Sequence, residues 1–121
     1  MNKSKIIFIL LILITFITLI GCTELIPNYK ELNEDELKYS GEWQSSDSQY
    51  LLIRPSGSGD YEGFSGAMSI SIDGGMVDIN NNILKISIFT INKEFVITKE
   101  PYQENGKTVL ELDNKKFIKT L

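Results

Sequence analysis

The chain divides by its pattern of apolar and polar positions into three stretches. Residues 6–20 form an apolar run softened only by Thr15 and Thr18, opened by Lys3 and Lys5 and closed by Gly21 and Cys22. Residues 23–39 are polar and acidic, with Glu31, Glu34, Asp35 and Glu36 close together. From Gly41 onward, apolar residues recur at every second position in short runs. Met68, Ile70 and Ile72 alternate with Ser69, Ser71 and Asp73, Leu84, Ile86 and Ile88 with Lys85 and Ser87, and Leu110 and Leu112 with Glu111 and Asp113. A period of two puts the apolar side chains of a strand on one face. Further strands are predicted over 42–44, 50–54, 60–64, 76–79, 94–98 and 116–120.

The punctuation between the runs is chemically specific. Residues 55–59 (Pro-Ser-Gly-Ser-Gly), Asp73-Gly74-Gly75, Asn80-Asn81-Asn82, Asn105-Gly106 and Asp113-Asn114 all suit the positive φ or turn geometry of hairpins. Parallel strands would need crossovers of a dozen or more residues, and no helix-length apolar stripe supplies one. The expectation is therefore an all-β domain, a small antiparallel meander of eight or nine short strands closing into a barrel. Closure removes exposed edges, and one-sided alternation suits an interior filled by side chains. The predicted core is Trp43, Leu51, Ile53, Tyr61, Met68, Ile70, Ile72, Val77, Ile79, Leu84, Ile86, Ile88, Phe95, Ile97, Leu110, Leu112 and Phe117. With a single Cys no internal disulfide can help so small a domain, so most of that core must pack on itself.

Ahead of the barrel, Pro27 breaks any helix continuing from the apolar run. Asn33 is placed to cap a short helix, with acidic residues in its first turn and Leu37 facing inward. Fully extended, the stretch from Thr23 to Tyr39 would reach up to about 60 Å from the lipid. The predicted organisation is 1–21 a secretion signal, 22–40 an acidic tether with a helical turn, and 41–121 the β domain.

Composition narrows the chemistry. The 121 residues carry a net charge of −4 with 42% hydrophobic residues, but Lys3 and Lys5 lie in the leader. From Cys22 onward ten basic residues stand against sixteen acidic ones, a net of −6. Such a domain lacks the clustered cations that nucleic acid needs, and anionic headgroups repel it. The absence of His excludes imidazole catalysis and His-ligated zinc. Carboxylates, hydroxyls and lysines remain, so no enzyme, metal or cofactor is expected.

The apolar run is shorter than the roughly 20 residues needed to span a bilayer, and its charged–apolar–small order is that of a secretory signal. Its ending, Leu19-Ile20-Gly21-Cys22, resembles the bacterial lipobox. The resemblance implies diacylglyceryl transfer to the Cys22 sulfur and cleavage between Gly21 and Cys22, often with a third acyl chain. Two or three chains, at about 0.8 kcal/mol per buried CH₂, anchor where one would exchange. Thr23 stands where an Asp tends to retain lipoproteins in the inner membrane. That implies the outer membrane of a Gram-negative cell, or otherwise the outer face of the cytoplasmic membrane.

Gly41-Glu42-Trp43 resembles the Gly-x-Trp that opens lipocalin-like (calycin) barrels, where the Trp packs across the closed end beside an N-terminal helical turn. Leu51-Leu52-Ile53 and the glycine-rich turn at Gly57 and Gly59 resemble the next strands of small bacterial lipocalin-like lipoproteins. Ser65-Gly66-Ala67 resembles the loop with which membrane-bound inhibitors of c-type lysozyme enter their target, although Met68-Ser69-Ile70 replaces the pattern that follows there. These resemblances imply a non-catalytic, membrane-anchored envelope lipoprotein binding a small apolar ligand, a glycan or a protein. The alternative is an inhibitor or immunity protein acting through Ser65-Gly66-Ala67.

Three other constellations weigh less. Asp78 to Asn82 has the oxygen spacing of a calcium loop, but Ile83 and Phe89 replace its Gly and Glu, which favours a hairpin turn. Asp60 and Glu62 share one face of a strand, as exposed strand charges commonly do. Tyr39, Tyr50, Tyr61, Phe64 and Tyr102 could ring a barrel mouth, with ordinary packing favoured.

Overall fold

The computed structural model describes residues 28–121; Gly21 and Cys22 lie outside them. Eight strands follow one another: β1 Gly41–Ser45, β2 Tyr50–Ile53, β3 Ser58–Ser65, β4 Met68–Asn80, β5 Ile83–Ile88, β6 Ile91–Glu104, β7 Lys107–Leu112 and β8 Lys115–Lys119. Each is antiparallel to the next, and β8 returns to β1 with Trp43 opposite Lys119, closing the barrel. Several tight turns carry the residues their geometry demands. Asn81-Asn82, Asn105-Gly106 and Asp113-Asn114 have φ of 52° and 62°, 53° and 78°, and 52° and 61°. Asn, Asp and Gly tolerate that left-handed region, whose twist matches the flanking strands. The segment with calcium-loop spacing is thus a two-residue hairpin.

Eight strands replace the eight or nine of the sequence reading because Asp73-Gly74-Gly75 is not a turn. Met68–Asn80 runs as one strand, bent by a bulge where Asp73 and Gly74 face Asp60. Gly74 has φ of 69°, open to glycine at little cost. The Asp60 carboxylate accepts the Gly74 N–H at 2.8 Å, and the Tyr29 hydroxyl donates to the Gly74 carbonyl at 2.6 Å. Both backbone groups freed by the bulge therefore have side-chain partners.

Side chains fill the interior. Trp43, Tyr61, Phe117, Leu51, Ile53, Ile72, Leu84, Ile86, Leu110 and Leu112 are fully buried. The Phe95 ring meets Tyr61 edge-on at 5.5 Å and Phe117 at 5.9 Å. Such pairs add about 0.5–1.5 kcal/mol beyond the area they bury. Ile70, Ile79 and Ile88 pack partly buried against this core, and Tyr39 joins it. Met68 is the exception among the predicted core residues, 74% exposed, because the β3–β4 hairpin has left the barrel by that point.

The segment before β1 is bound to the barrel. Asn33 and Glu36 cap reciprocally: the Asn33 N–H donates to Glu36 Oε1 at 3.0 Å, and the Glu36 N–H to Asn33 Oδ1 at 2.9 Å. A single 3₁₀ turn, Leu37–Tyr39, follows in place of the expected short helix. Its tighter winding sends Tyr39 inward and leaves Leu37 exposed, the reverse of the sequence expectation. The Leu32 N–H donates to the Pro55 carbonyl at 3.0 Å, and the Trp43 indole donates to the Tyr39 carbonyl at 2.9 Å. A Cβ on Gly57 would lie 1.8 Å from the Lys30 carbonyl oxygen, so glycine is required for the segment to cross there. This end of the barrel is closed. The β1–β2, β3–β4, β5–β6 and β7–β8 hairpins surround the other.

Candidate functional site

At that open end the strands stop at different heights. The β2 strand begins its pairing with Tyr50 opposite Glu62, whereas β3 and β4 pair on to Ser65 opposite Met68. The two-residue loop Gly66-Ala67 makes Ser65 and Met68 a hydrogen-bonded pair. Alternation then turns the backbone groups of Phe64 and Ser69 away from each other. The outward groups of Phe64 would be orphaned beyond β2, and two inward side chains take them. The Phe64 N–H donates to the Tyr61 hydroxyl at 3.1 Å, and Lys93 Nζ donates to its carbonyl at 2.9 Å.

From Tyr61 a polar chain runs across the mouth. Its hydroxyl donates to Oε1 of buried Gln49 at 2.8 Å, and Gln49 Nε2 donates to both Asp47 carboxylate oxygens at 3.2 and 3.1 Å. Lys115 Nζ reaches Asp47 at 2.7 Å, and the Ser45 hydroxyl donates to it as well. Lys115 first and Ser45 next hold the Asp47 carboxyl far below its usual range. Burial pushes the Tyr61 hydroxyl up, keeping it protonated as a donor. Gly63 is part of this arrangement: a Cβ there would stand 2.2 Å from the Tyr61 hydroxyl.

Above the network lies a pocket of about 190 Å³, lined by Phe64, Gly66, Lys93, Phe95, Leu112, Asp113, Lys115 and Phe117 together with Asp47 and Gln49. Lys93 Nζ sits 5.7 Å from the Tyr61 ring centre and 5.2 Å from that of Phe95. The rim carries apolar groups in water. Phe64 is about half exposed, Met68 largely exposed, and Phe89, at the β5–β6 tip with φ of 52°, is 93% exposed.

The sequence-derived candidates fall in several places. Ser65, Gly66 and Ala67 form the β3–β4 tip, and no atom lies within 4 Å of where a Gly66 Cβ would be. Gly41 and Trp43 belong to the closed end, where Gly41 crowds Lys119 and the Leu121 carbonyl. Asp60 is held by Arg54 at 2.7 Å and by Gly74, while Glu62 is exposed, so the two do not share a cleft. The five aromatics do not ring the mouth. Tyr39 packs at the closed end, and Tyr50 and Tyr102 lie on the outside, bonded to Glu42 at 3.1 Å and Glu111 at 2.7 Å. The bond to Glu111 pushes the Tyr102 hydroxyl up to about 12. Gln49, Asp47, Lys93 and Lys115 were missed. Gln49 precedes Leu51 and Ile53, and Lys93 precedes Phe95 and Ile97, each at inward parity, so a polar residue breaking the apolar alternation was the available signal.

Among the described residues no group of three or more His, Cys, Asp or Glu side chains could hold a metal ion. No protein-family model, curated protein or solved structure matches the chain.

Proposed function

We propose that this chain is a non-catalytic lipoprotein of the cell envelope, anchored through acyl chains on Cys22, that recognises its partner with the open end of the barrel. The filled interior carries this reading. A calyx ligand has no room among Trp43, Tyr61, Phe95 and Phe117, so recognition falls to the outer surface. The most exposed aromatic side chain, Phe89, and the exposed Phe64 and Met68 sit on the hairpins of the open end. Other apolar side chains are exposed elsewhere, Leu121 and Val96 among them, but among the described residues only the open end presents two aromatic rings in water. Residues 29–39 dock at the opposite end. Only the seven residue-to-residue steps from Cys22 to Tyr29 remain as a spacer, at most about 23 Å, so the closed end faces the bilayer and the open end faces away. In a Gram-negative host the expected address is the outer membrane.

Cys22→Ser in full-length chain, followed by fractionation and mass spectrometry, tests the anchor. The wild type is expected to be cleaved before Cys22, acylated and membrane-bound, and the variant soluble or uncleaved. An unmodified wild type refutes the anchor. A photo-crosslinker at Phe89 or Met68 is expected to trap an envelope component, whereas one at Leu121 is not; equal trapping from both refutes the orientation.

A second reading draws on the reach of the β3–β4 hairpin. Its tip, Ser65-Gly66-Ala67, extends past the end of β2 with open space where a Gly66 Cβ would be, a shape suited to entering an enzyme cleft. That reading expects inhibition of a lysozyme or toxin, abolished by enlarging Gly66.

A further inference from the structure

We propose that the open-end pocket binds a small carboxylate carried on a compact apolar body, with Lys93 as its counter-ion. The inference rests on the reading of the open end as the recognition surface and names the chemistry it takes. Lys93 is partly buried at an inward position, one of its ammonium donors is used by the Phe64 carbonyl, and among the described residues no carboxylate lies within 4.0 Å of it. An ammonium has three donors, so two remain. The other cation of the pocket, Lys115, is already neutralised by Asp47 at 2.7 Å. Of the two acids at the pocket, Asp47 is thus occupied, and Asp113 accepts the Val96 N–H at 2.8 Å.

The rest of the wall is mixed, with Asp47, Gln49, Asp113 and Lys115 beside apolar side chains. Phe64, Phe95, Phe117 and Leu112 face a volume of about 190 Å³. That volume is of the order of a single ring, so the acid it takes must be small and its apolar body must extend partly toward the open mouth. An anion placed against Lys93 would gain a charge-assisted hydrogen bond in a setting partly screened from water. A neutral ligand would gain no ion pair with Lys93, whose ammonium otherwise rests on the Phe64 carbonyl and the Tyr61 and Phe95 rings. The same chemistry is found in a free organic acid and in the terminal residue of a polypeptide.

The test is a titration of amide resonances in isotopically labelled full-length chain, held in zwitterionic lipid nanodiscs, with benzoate as probe. Benzoate is expected to shift the amides of Phe64, Gly66, Lys93 and Phe95 saturably, with benzyl alcohol binding about tenfold or more weakly and benzylamine not at all. Lys93→Met should weaken benzoate by a similar factor, Lys93→Arg should keep it within a few-fold, and Lys85→Met should leave it unchanged. N-acetylphenylalanine set against its amide separates the two sources: tighter binding than benzoate points to a chain terminus, weaker binding to a free acid. Equal binding of benzyl alcohol, full benzoate affinity in a well-dispersed Lys93→Met spectrum, or no saturable shift overturns the proposal. A chain found unlipidated that still binds benzoate refutes the anchor and leaves the pocket assignment standing.

Discussion

Tyr61→Phe isolates the hydroxyl on which the open end is built. The ring is fully buried and stays to fill the barrel, so packing against Phe95 is retained. Two groups lose their partner: Gln49 Oε1, which accepted the hydroxyl at 2.8 Å, and the Phe64 N–H, which donated to it at 3.1 Å. A buried polar group left unpaired costs about 1–3 kcal/mol. Gln49 is only 7% exposed and bears most of that cost. Phe64 is about half exposed, so water can take its N–H, and the two losses do not simply add. The expected destabilisation is about 1–3 kcal/mol, or a fall in Tm of about 5–20 °C for a domain of this size. Urea unfolding with an unchanged slope measures the first. Hydrogen exchange of the Phe64 amide, expected to quicken well beyond the global effect, localises it. Tyr50→Phe is the control, because its hydroxyl meets Glu42 on the outside of the barrel at 3.1 Å, and it should cost under about 0.5 kcal/mol. Equal stability of the two variants, or an unchanged Phe64 amide, refutes the view that Tyr61 and Gln49 seal the β3 edge.

Further consequences are open to measurement. Burial pushes the Asp60 carboxyl up, but the Gly74 N–H and the Arg54 guanidinium together hold it below its ordinary value. A depressed folded value means that the unfolded chain takes up the proton first. The stabilisation is therefore present above about pH 4 and is lost as pH falls through the folded value. Asp60→Asn should flatten the acid limb of a stability–pH curve, and an unaltered limb would remove Asp60 from the account. Gly63→Ala should cost about 1–3 kcal/mol by thermal melting, since its Cβ would lie 2.2 Å from the Tyr61 hydroxyl and 2.6 Å from Cζ; a neutral effect would mean the ring shifts freely. The ladder alternation turns Ser69 and Ser71 away from β3, while pairing of β4 with β5 starts only at Met76 opposite Ser87. Their amides should exchange rapidly while those of Ile70 and Ile72 are protected, and slow exchange at Ser71 would show that this edge is covered.

Most of the architecture was legible because it rests on period-two alternation and on turn chemistry, both local in sequence. Asn81-Asn82 and Asp113-Asn114 announce hairpins by residue type alone. Asp73-Gly74-Gly75 misled for the same reason: glycine at positive φ serves a bulge as readily as a turn, and only the partner strand, with Asp60 opposite, decides. Met68 misled because its parity is inward, yet alternation does not say where a hairpin leaves the barrel. The polar network was hidden more deeply. Asp47 and Lys115 lie 68 residues apart and meet through the β1–β8 closure, a relation no local pattern encodes. Lys93 and Gln49 were the readable clues, polar residues at inward parity beside runs of apolar ones, and each takes part in satisfying Phe64.

The connectivity of a closed meander also constrains how each end of the barrel can be covered. An even number of antiparallel strands brings both termini to the same end, and here Gly41 and Lys119 bound β1 and β8 at that end. Whatever precedes β1 must enter there, and the packing of Tyr29, Leu32 and Tyr39 over the β2–β3 loop and Trp43 uses that necessity to cover one mouth. Covering the other by the same means would need a chain terminus the topology does not deliver. It is sealed instead by side chains, with Lys93 and Tyr61 supplying the hydrogen bonds that a longer β2 would have made to Phe64. The end that topology leaves uncovered is therefore the end where side chains, rather than a further run of backbone, meet solvent.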